Sequence, residues 1–154
     1  KFYIIEKGVV RASMPCATAS AGTGSISGSL QTPLGWHTVS EKFGEDAPWG
    51  QVFRSRQPTH EIWKPGDTVT EDLVLTRVLW LDGLEPGKNQ GKRADGTLVD
   101  SKIRCIYIHG TNGEEVIGTP SSHGCIRLLN DDVIKVFGEL SVGTPVLITE
   151  TAAE

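Results

Sequence analysis

Apolar and polar positions alternate along much of this chain, and the pattern predicts a molecule built mainly of β-strands. The clearest run is residues 73–81 (LVLTRVLWL), rich in β-branched and aromatic side chains and closed by Asp82-Gly83. Residues 102–109 (KIRCIYIH) form the next, which places Cys105 mid-strand in the core. Near the start, residues 2–5 read as a strand, Glu6-Lys7-Gly8 as a turn, and residues 9–17 as its returning partner. Pro15 has no N–H for a ladder, so it pushes that second strand towards a sheet edge or a bulge. Thr32-Pro33-Leu34-Gly35 is a turn signal leading into a strand over 36–43 (WHTVSEKF), with a short strand over 51–55. A helical period occurs once, where Val133, Ile134, Phe137 and Leu140 make an apolar stripe. Asn130 stands where it can cap that helix, and Asp131 and Asp132 suit the positive end of its dipole. Gly143-Thr144-Pro145 ends it, and residues 146–149 read as a closing strand. The fold class that follows is mainly β, a sandwich or barrel with one short helix.

Two stretches have no period. Residues 20–31 are rich in Gly, Ser and Thr and read as loop. Residues 82–101 hold Gly, Pro, Asn and charge, and a structureless stretch of that length is uncommon unless functional or disordered.

Length and composition narrow the picture. The 154 residues suit one domain over 1–154 with one proper core. The first residue is Lys1 rather than Met, which points to a processed or cropped N-terminus. Eighteen glycines in 154 residues is roughly 12% against a usual ~7%, in keeping with a turn-rich fold. The net charge is −4, with acidic and basic residues mixed, so the basic footprint of a nucleic-acid binder is missing. The densest basic stretch, Lys88, Lys92, Arg93, Lys102 and Arg104, is broken by Asp95 and Asp100 and reads as a solvated loop. No run approaches the ~20 apolar residues of a membrane span. The three cysteines, Cys16, Cys105 and Cys125, cannot all pair, which leaves at least one free thiol to account for.

The chemistry concentrates in residues 109–128 (HGTNGEEVIGTPSSHGCIRL), between the end of a predicted strand and the start of the predicted helix. A loop held by rigid elements on both sides is a suitable seat for a reactive residue. The thiolate is the nucleophilic form of cysteine, and a nearby imidazole can take the proton from Cys125 and stabilise the anion. Gly124 permits positive φ or a close approach, and backbone N–H groups around such a turn can stabilise an oxyanion. A lone cysteine is more often a small buried hydrophobe. The flanking Ser122-His123-Gly124 argues against that, because polar residues and glycine are poor company for a packing side chain. A zinc site from His109, His123, Cys125 and Cys105 is a further alternative, although His-x-Cys with one distant His matches none of the usual ligand spacings. His37 and His60 read as surface or strand histidines. The four tryptophans, Trp36, Trp49, Trp63 and Trp80, could be core or substrate walls.

Ser122-His123-Gly124-Cys125-Ile126-Arg127, preceded by Ile108-His109-Gly110-Thr111-Asn112, resembles the signature of the L,D-transpeptidase (YkuD-type) family: a His, a gap, then Ser/Thr-His-Gly-Cys. Twelve residues separate His109 from Ser122. The motif often continues with an apolar residue and Asn; here Ile126-Arg127 stands in that place. Thr32-Pro33-x-Gly35 resembles the family's upstream turn, and the opening hairpin resembles the start of its domain. The resemblance implies the family's catalytic fold, with its short helix after the catalytic loop. It implies that Cys125 is the acylated nucleophile and His109 the general base and later acid, its ring oriented by the Gly110 carbonyl. It also implies that His123, Gly124 and Cys125 supply oxyanion-hole N–H groups, that Ser122 helps shape the site, and that Arg127 contacts substrate.

On the same resemblance the substrates are peptidoglycan stem peptides. Cys125 would attack the L-centre carbonyl of a stem tetrapeptide and release D-alanine, and an amine of a second stem would resolve the thioester as a crosslink. Two alternatives stay open: water resolves the same thioester (an L,D-carboxypeptidase), or the domain is a non-catalytic wall-binding module. No metal or organic cofactor is required, carbapenem-type inhibitors are expected to acylate the thiol, and the location is extracytoplasmic, periplasm or cell wall. Residues 82–101 are expected to be mobile and to lie beside this site as a lid or wall.

Overall fold

A computed structural model describes residues 1–151. Its elements run β1 (Phe2–Glu6), β2 (Val9–Met14), β3 (Gly35–Phe43), β4 (Gln51–Arg54), β5 (Gln57–Ile62), β6 (Val74–Gly83), β7 (Tyr107–Gly110), a 3₁₀ turn (Glu114–Val116), β8 (Ile126–Leu128), α1 (Asn130–Glu139) and β9 (Pro145–Ile148). β1 and β2 form a separate antiparallel hairpin, and the other seven strands form one sheet that does not close into a barrel. β6 is its spine. Leu75 pairs with both Val52 and Gly110, and Val78 with both Phe43 and His109. A strand has two edges, so β7 runs along one edge of β6 while β3 and β4 divide the other. β8 then joins β7 in parallel, with Ile108 opposite Ile126 and His109 opposite Arg127.

Side chains alternate across a strand, and this alternation separates core from chemistry. Leu79, Leu81, Ile108, Ile126 and Leu128 point to a core that α1 completes with Val133, Val136 and Phe137. The β1–β2 hairpin adds Met14, with Phe2, Ile4 and Ala12 packed beside it. The opposite face carries Phe53, Val78 and Tyr107, and Cys105 and Cys125 pack against these.

Several expectations are corrected. The strand read over 102–109 begins only at Tyr107, because residues 101–105 form successive turns. Cys105 lies in those turns at φ 56°, half-buried rather than in a strand core. β5 is absent from the sequence reading. Pro58 and the exposed positions of QPTHEI hide it, and it is tolerated because it lies at the sheet edge. The turn before it places Ser55 and Arg56 at φ 47° and 66°, a two-residue hairpin geometry usually announced by Asn-Gly. Asn130 is the first residue of α1 and makes no cap. Its own N–H donates to the Glu114 carboxylate at 2.7 Å.

Residues 82–101 are a knot of hydrogen bonds organised by Asn89, which is fully buried. The Asn89 amide donates to the Leu34 and Trp36 carbonyls at 3.0 Å each, and its Oδ1 accepts the Glu85 N–H at 2.9 Å. Lys92 and Leu98 bridge across the segment, and Val99 and Ser101 are fully buried. The apolar period is missing because the loop is held by polar side chains and backbone, not because it lacks structure.

Candidate active site

The sheet register places the reactive residues side by side. His109 on β7 and Arg127 on β8 are cross-strand neighbours, and Tyr107 comes level with Cys125 one step earlier. The Cys125 thiol accepts the Tyr107 N–H at 3.3 Å and donates to the Cys105 carbonyl at 3.4 Å. Burial is the main cause that pushes this thiol up to about 11, with the Asp72 carboxylate adding to the rise and the Tyr107 N–H and Arg104 opposing it. The resting form is therefore a neutral thiol.

His109 is only 3% exposed. Its Nδ1 lies 2.6 Å from the Gly110 carbonyl oxygen, which can only accept, so Nδ1 carries the proton and Nε2 keeps its lone pair. Burial lowers the imidazole's proton affinity, the Gly110 carbonyl and Asp72 raise it, and Arg127 lowers it. A neutral ring on β7 and a neutral thiol just before its partner strand β8 are the starting point for general-base catalysis. Gly110 itself must be glycine, since a Cβ there would meet the Asn130 side-chain oxygen and the Leu75 carbonyl.

The turn that presents Cys125 is pinned from three sides. Ser122 Oγ donates to the Cys125 carbonyl at 2.6 Å and accepts the Gly124 N–H at 3.2 Å. Thr32, from the Thr-Pro-x-Gly turn, donates to the Gly124 carbonyl at 2.9 Å. The stretch over 17–20 runs beside the turn and exchanges hydrogen bonds between Ala17 and Arg127 at 2.9 and 2.8 Å and from Ser20 to Ser122 at 3.0 Å. Gly124 adopts φ 132°, and a Cβ on it would crowd the Gln31 carbonyl at 3.3 Å.

Arg127 is 5% exposed, with Nη1 on Asp72 at 2.8 Å and Nη2 on Ser121 Oγ at 2.7 Å, so its charge is neutralised inside the protein. Its Nε is buried and unpartnered among the described residues. Asp72 also reaches His123, whose Nδ1 is 3.7 Å from the second carboxylate oxygen; the His123 side chain is 68% exposed at the mouth of the site. In front of the thiol opens a cleft of about 200 Å³, whose walls include Ser27, Leu30, Arg104, Ile106 and His123. Residues 82–101 do not line it. The wall comes from the loop over 20–31 instead.

The structure thus brings together His109, Gly110, Ser122, His123, Gly124, Cys125 and Arg127. Sequence reasoning missed Asp72, Arg104 and Thr32's direct hold on the turn. Asp72 had no local signal, lying among acidic residues that read as solvated. In the sequence Arg104 reads as part of a solvated basic loop, yet it is half-buried against the site. His37 is fully buried on β3, its ring held by the Gly35 carbonyl at 3.0 Å and Ser101 Oγ at 2.8 Å. No cluster of three His, Cys, Asp or Glu suited to a metal occurs among the described residues.

Comparison with known proteins finds relatives named as L,D-transpeptidases. A Bacillus subtilis protein, YqjB, provisionally named an L,D-transpeptidase, is 44% identical over 84 residues, 54% of this chain and 48% of its own. ErfK/SrfK of Escherichia coli K12, likewise provisionally named, is 49% identical over 121 residues, 78% of this chain and 33% of its own. The chain thus spans between about a third and a half of these relatives. Among solved structures, an L,D-transpeptidase from Mycobacterium smegmatis aligns with TM-score 0.48 and 20% identity, covering 92% of this chain and 50% of that one. Another L,D-transpeptidase, solved in complex with imipenem, aligns with TM-score 0.49 and 19% identity over 92% of this chain and 50% of that one. The profile of the YkuD family, the L,D-transpeptidase catalytic domain, matches residues 1–148. This chain belongs to the L,D-transpeptidase catalytic-domain family.

Proposed function

We propose that residues 1–154 form one catalytic domain that crosslinks peptidoglycan stems through a Cys125 thioester. The observation that carries this reading is a thiol at the cleft, bound to the N–H of Tyr107, with the buried His109 two residues further along that same strand and its Nδ1 proton committed to Gly110, leaving Nε2 as base. In this scheme the thiol gives up its bond to the Cys105 carbonyl and passes its proton to His109 Nε2. The sulfur then attacks the L-centre carbonyl of the donor stem. The oxyanion is held by backbone N–H groups of the 123–125 turn, of which Gly124's must first leave Ser122 Oγ. Collapse of the adduct breaks the amide bond, and the departing D-alanine amine takes the proton back from His109. An acceptor amine next gives a proton to His109 and attacks the thioester, forming the crosslink and freeing the thiol. Arg127 acts in this scheme by holding Asp72 and the floor of the site, and any contact with substrate is made beyond its two internal partners. The substrate places the domain outside the cytoplasm, in periplasm or cell wall, and a carbapenem is expected to trap the same sulfur.

Mass spectrometry of products from purified muropeptides, with and without an acceptor stem, tests this. A crosslinked product that vanishes in Cys125→Ala supports it. D-alanine release without any crosslink identifies the water-resolved carboxypeptidase instead. Muropeptide binding that is indifferent to Cys125→Ala, with no release, identifies a wall-binding module.

A further inference from the structure

Two arginines lie near the nucleophile, and they differ in one respect. Arg127 has its counterion built in, since Asp72 sits 2.8 Å from it. Arg104 has none: among the described residues, the ion pairs involve Arg11, Arg54, Lys88, Lys102, His123 and Arg127, and no carboxylate lies within 4.0 Å of Arg104. Arg104 is half-buried and lines the cleft together with Cys125. Its protein contacts are carbonyls, from Nη2 to Gln31 at 2.7 Å and from Nη1 to Gly24 at 3.3 Å. Those two bonds leave three of its five N–H donors free. Withdrawing a cation from water without a counterion is unfavourable, and that cost is recovered when an anion arrives. The hold on Gln31 and Gly24 fixes the fork in place, as bidentate recognition of a carboxylate requires.

We propose that Arg104 binds a substrate carboxylate beside the scissile carbonyl and so selects donor stems that carry one. This rests on the reading of Cys125 as the acyl nucleophile. Two carboxylates of a stem ending in D-alanine have the right chemistry: the terminal one of the leaving D-alanine, three bonds from the scissile carbonyl carbon, and, where the residue bearing that carbonyl is a diamino acid with a second carboxyl, the one on its side chain. Both would sit over the cleft wall that Arg104 shares with the thiol. The residue positions substrate and takes no proton.

The test compares wild-type, Arg104→Gln and Arg104→Lys on three donors: the free stem, its terminal D-alanine amide, and its side-chain carboxamide. Arg104→Gln is expected to lower kcat/KM for the free stem roughly 10- to 100-fold, the range for losing a charged hydrogen bond. Arg104→Lys should recover part of the loss. The difference between wild-type and Arg104→Gln should disappear on whichever amide removes the bound carboxylate, which names the source. Equal losses on all three donors would overturn the proposal and leave Arg104 as a brace for the 20–31 loop. A second measurement needs no stem turnover: the ratio of Cys125 alkylation by iodoacetate to that by iodoacetamide, read at the Cys125 peptide. Any change in thiolate fraction cancels in this ratio, which should fall several-fold in Arg104→Gln. If wild-type turns over no stem at all, the transpeptidase reading fails alone. The alkylation ratio then decides for Arg104, a fall supporting the anion site and an unchanged ratio removing it.

Discussion

His109 shows at the scale of one residue how burial sets chemistry. Its imidazole is held neutral by desolvation, with the Gly110 carbonyl fixing the tautomer. The acid limb of kcat/KM should therefore fall below pH ~6.5, the ordinary histidine value, as protonation removes the base. His109→Asn should lower kcat about 10²- to 10⁴-fold and abolish that limb. A limb centred above pH 7, or one that survives the substitution, would place the base elsewhere. Gly124 has a different constraint, a positive φ beside the Gln31 carbonyl. Gly124→Ala should cost about 1–3 kcal/mol in the urea midpoint and slow Cys125 alkylation by distorting the turn. An unchanged midpoint and rate would show that the turn is not constrained. Gly124, Cys125 and both histidines were legible in the sequence because their spacing is local. Arg104 and Asp72 were not, since nothing in a run of charged residues records which one the fold turns inward.

Individual elements matter here chiefly through the joints between them. β6 carries a bulge between Leu75 and Val78, and Thr76 within it takes φ 75°, rare for a β-branched residue. The bulge aims Thr76 Oγ1 at Asn130 Oδ1, 2.6 Å away, at the start of α1. Asn130 Nδ2 reaches on to the Thr111 carbonyl and the Glu114 carboxylate, both at 2.8 Å. One buried amide thus ties β6, the loop after His109 and the helix together. Asn130→Ala should cost ~2–3 kcal/mol by leaving those partners unsatisfied, measured as a lower urea midpoint with unchanged slope. A surface-like loss below ~0.5 kcal/mol would show that the joint carries little. From the sequence Asn130 reads as a cap, because Asn-Asp-Asp before an apolar stripe is a sound local signal. The long-range partners that displace it come from residues 76, 111 and 114, which no local pattern connects. The strands over 2–5, 36–43, 51–55 and 73–81 were legible from local composition and the turn residues around them, whereas β5 was hidden by its exposure and its proline.

Across the whole molecule, one face of the sheet buries the apolar set under α1 and the β1–β2 hairpin, and the other presents the thiol. That division follows from period-two alternation on β7 and β8, so the motif's function depends on the parallel pairing of two strands only 4 and 3 residues long. The mainly β class and the motif could be read in advance. The open sheet, and the ordering of 82–101 by Asn89, depend on long-range pairing and could not. Global stability should also respond to pH. His37 is buried, and burial lowers its folded proton affinity, as it does for His109. Below pH ~6.5 the unfolded chain then binds more protons than the native one, so stability is full above that pH and is lost on acidification. Chemical denaturation at pH 7 and pH 5 checks the sign, and greater stability at pH 5 would contradict it.

The central claim is that one of three thiols is an acyl nucleophile. Intact and peptide mass spectrometry after exposure to a limiting carbapenem tests it most directly, because β-lactam opening demands a positioned thiol, a base and an oxyanion site together. The account predicts one adduct per chain, on the peptide containing Cys125, and none in Cys125→Ala. An adduct mainly on Cys16 or Cys105, or a folded protein with no adduct on Cys125, would contradict it.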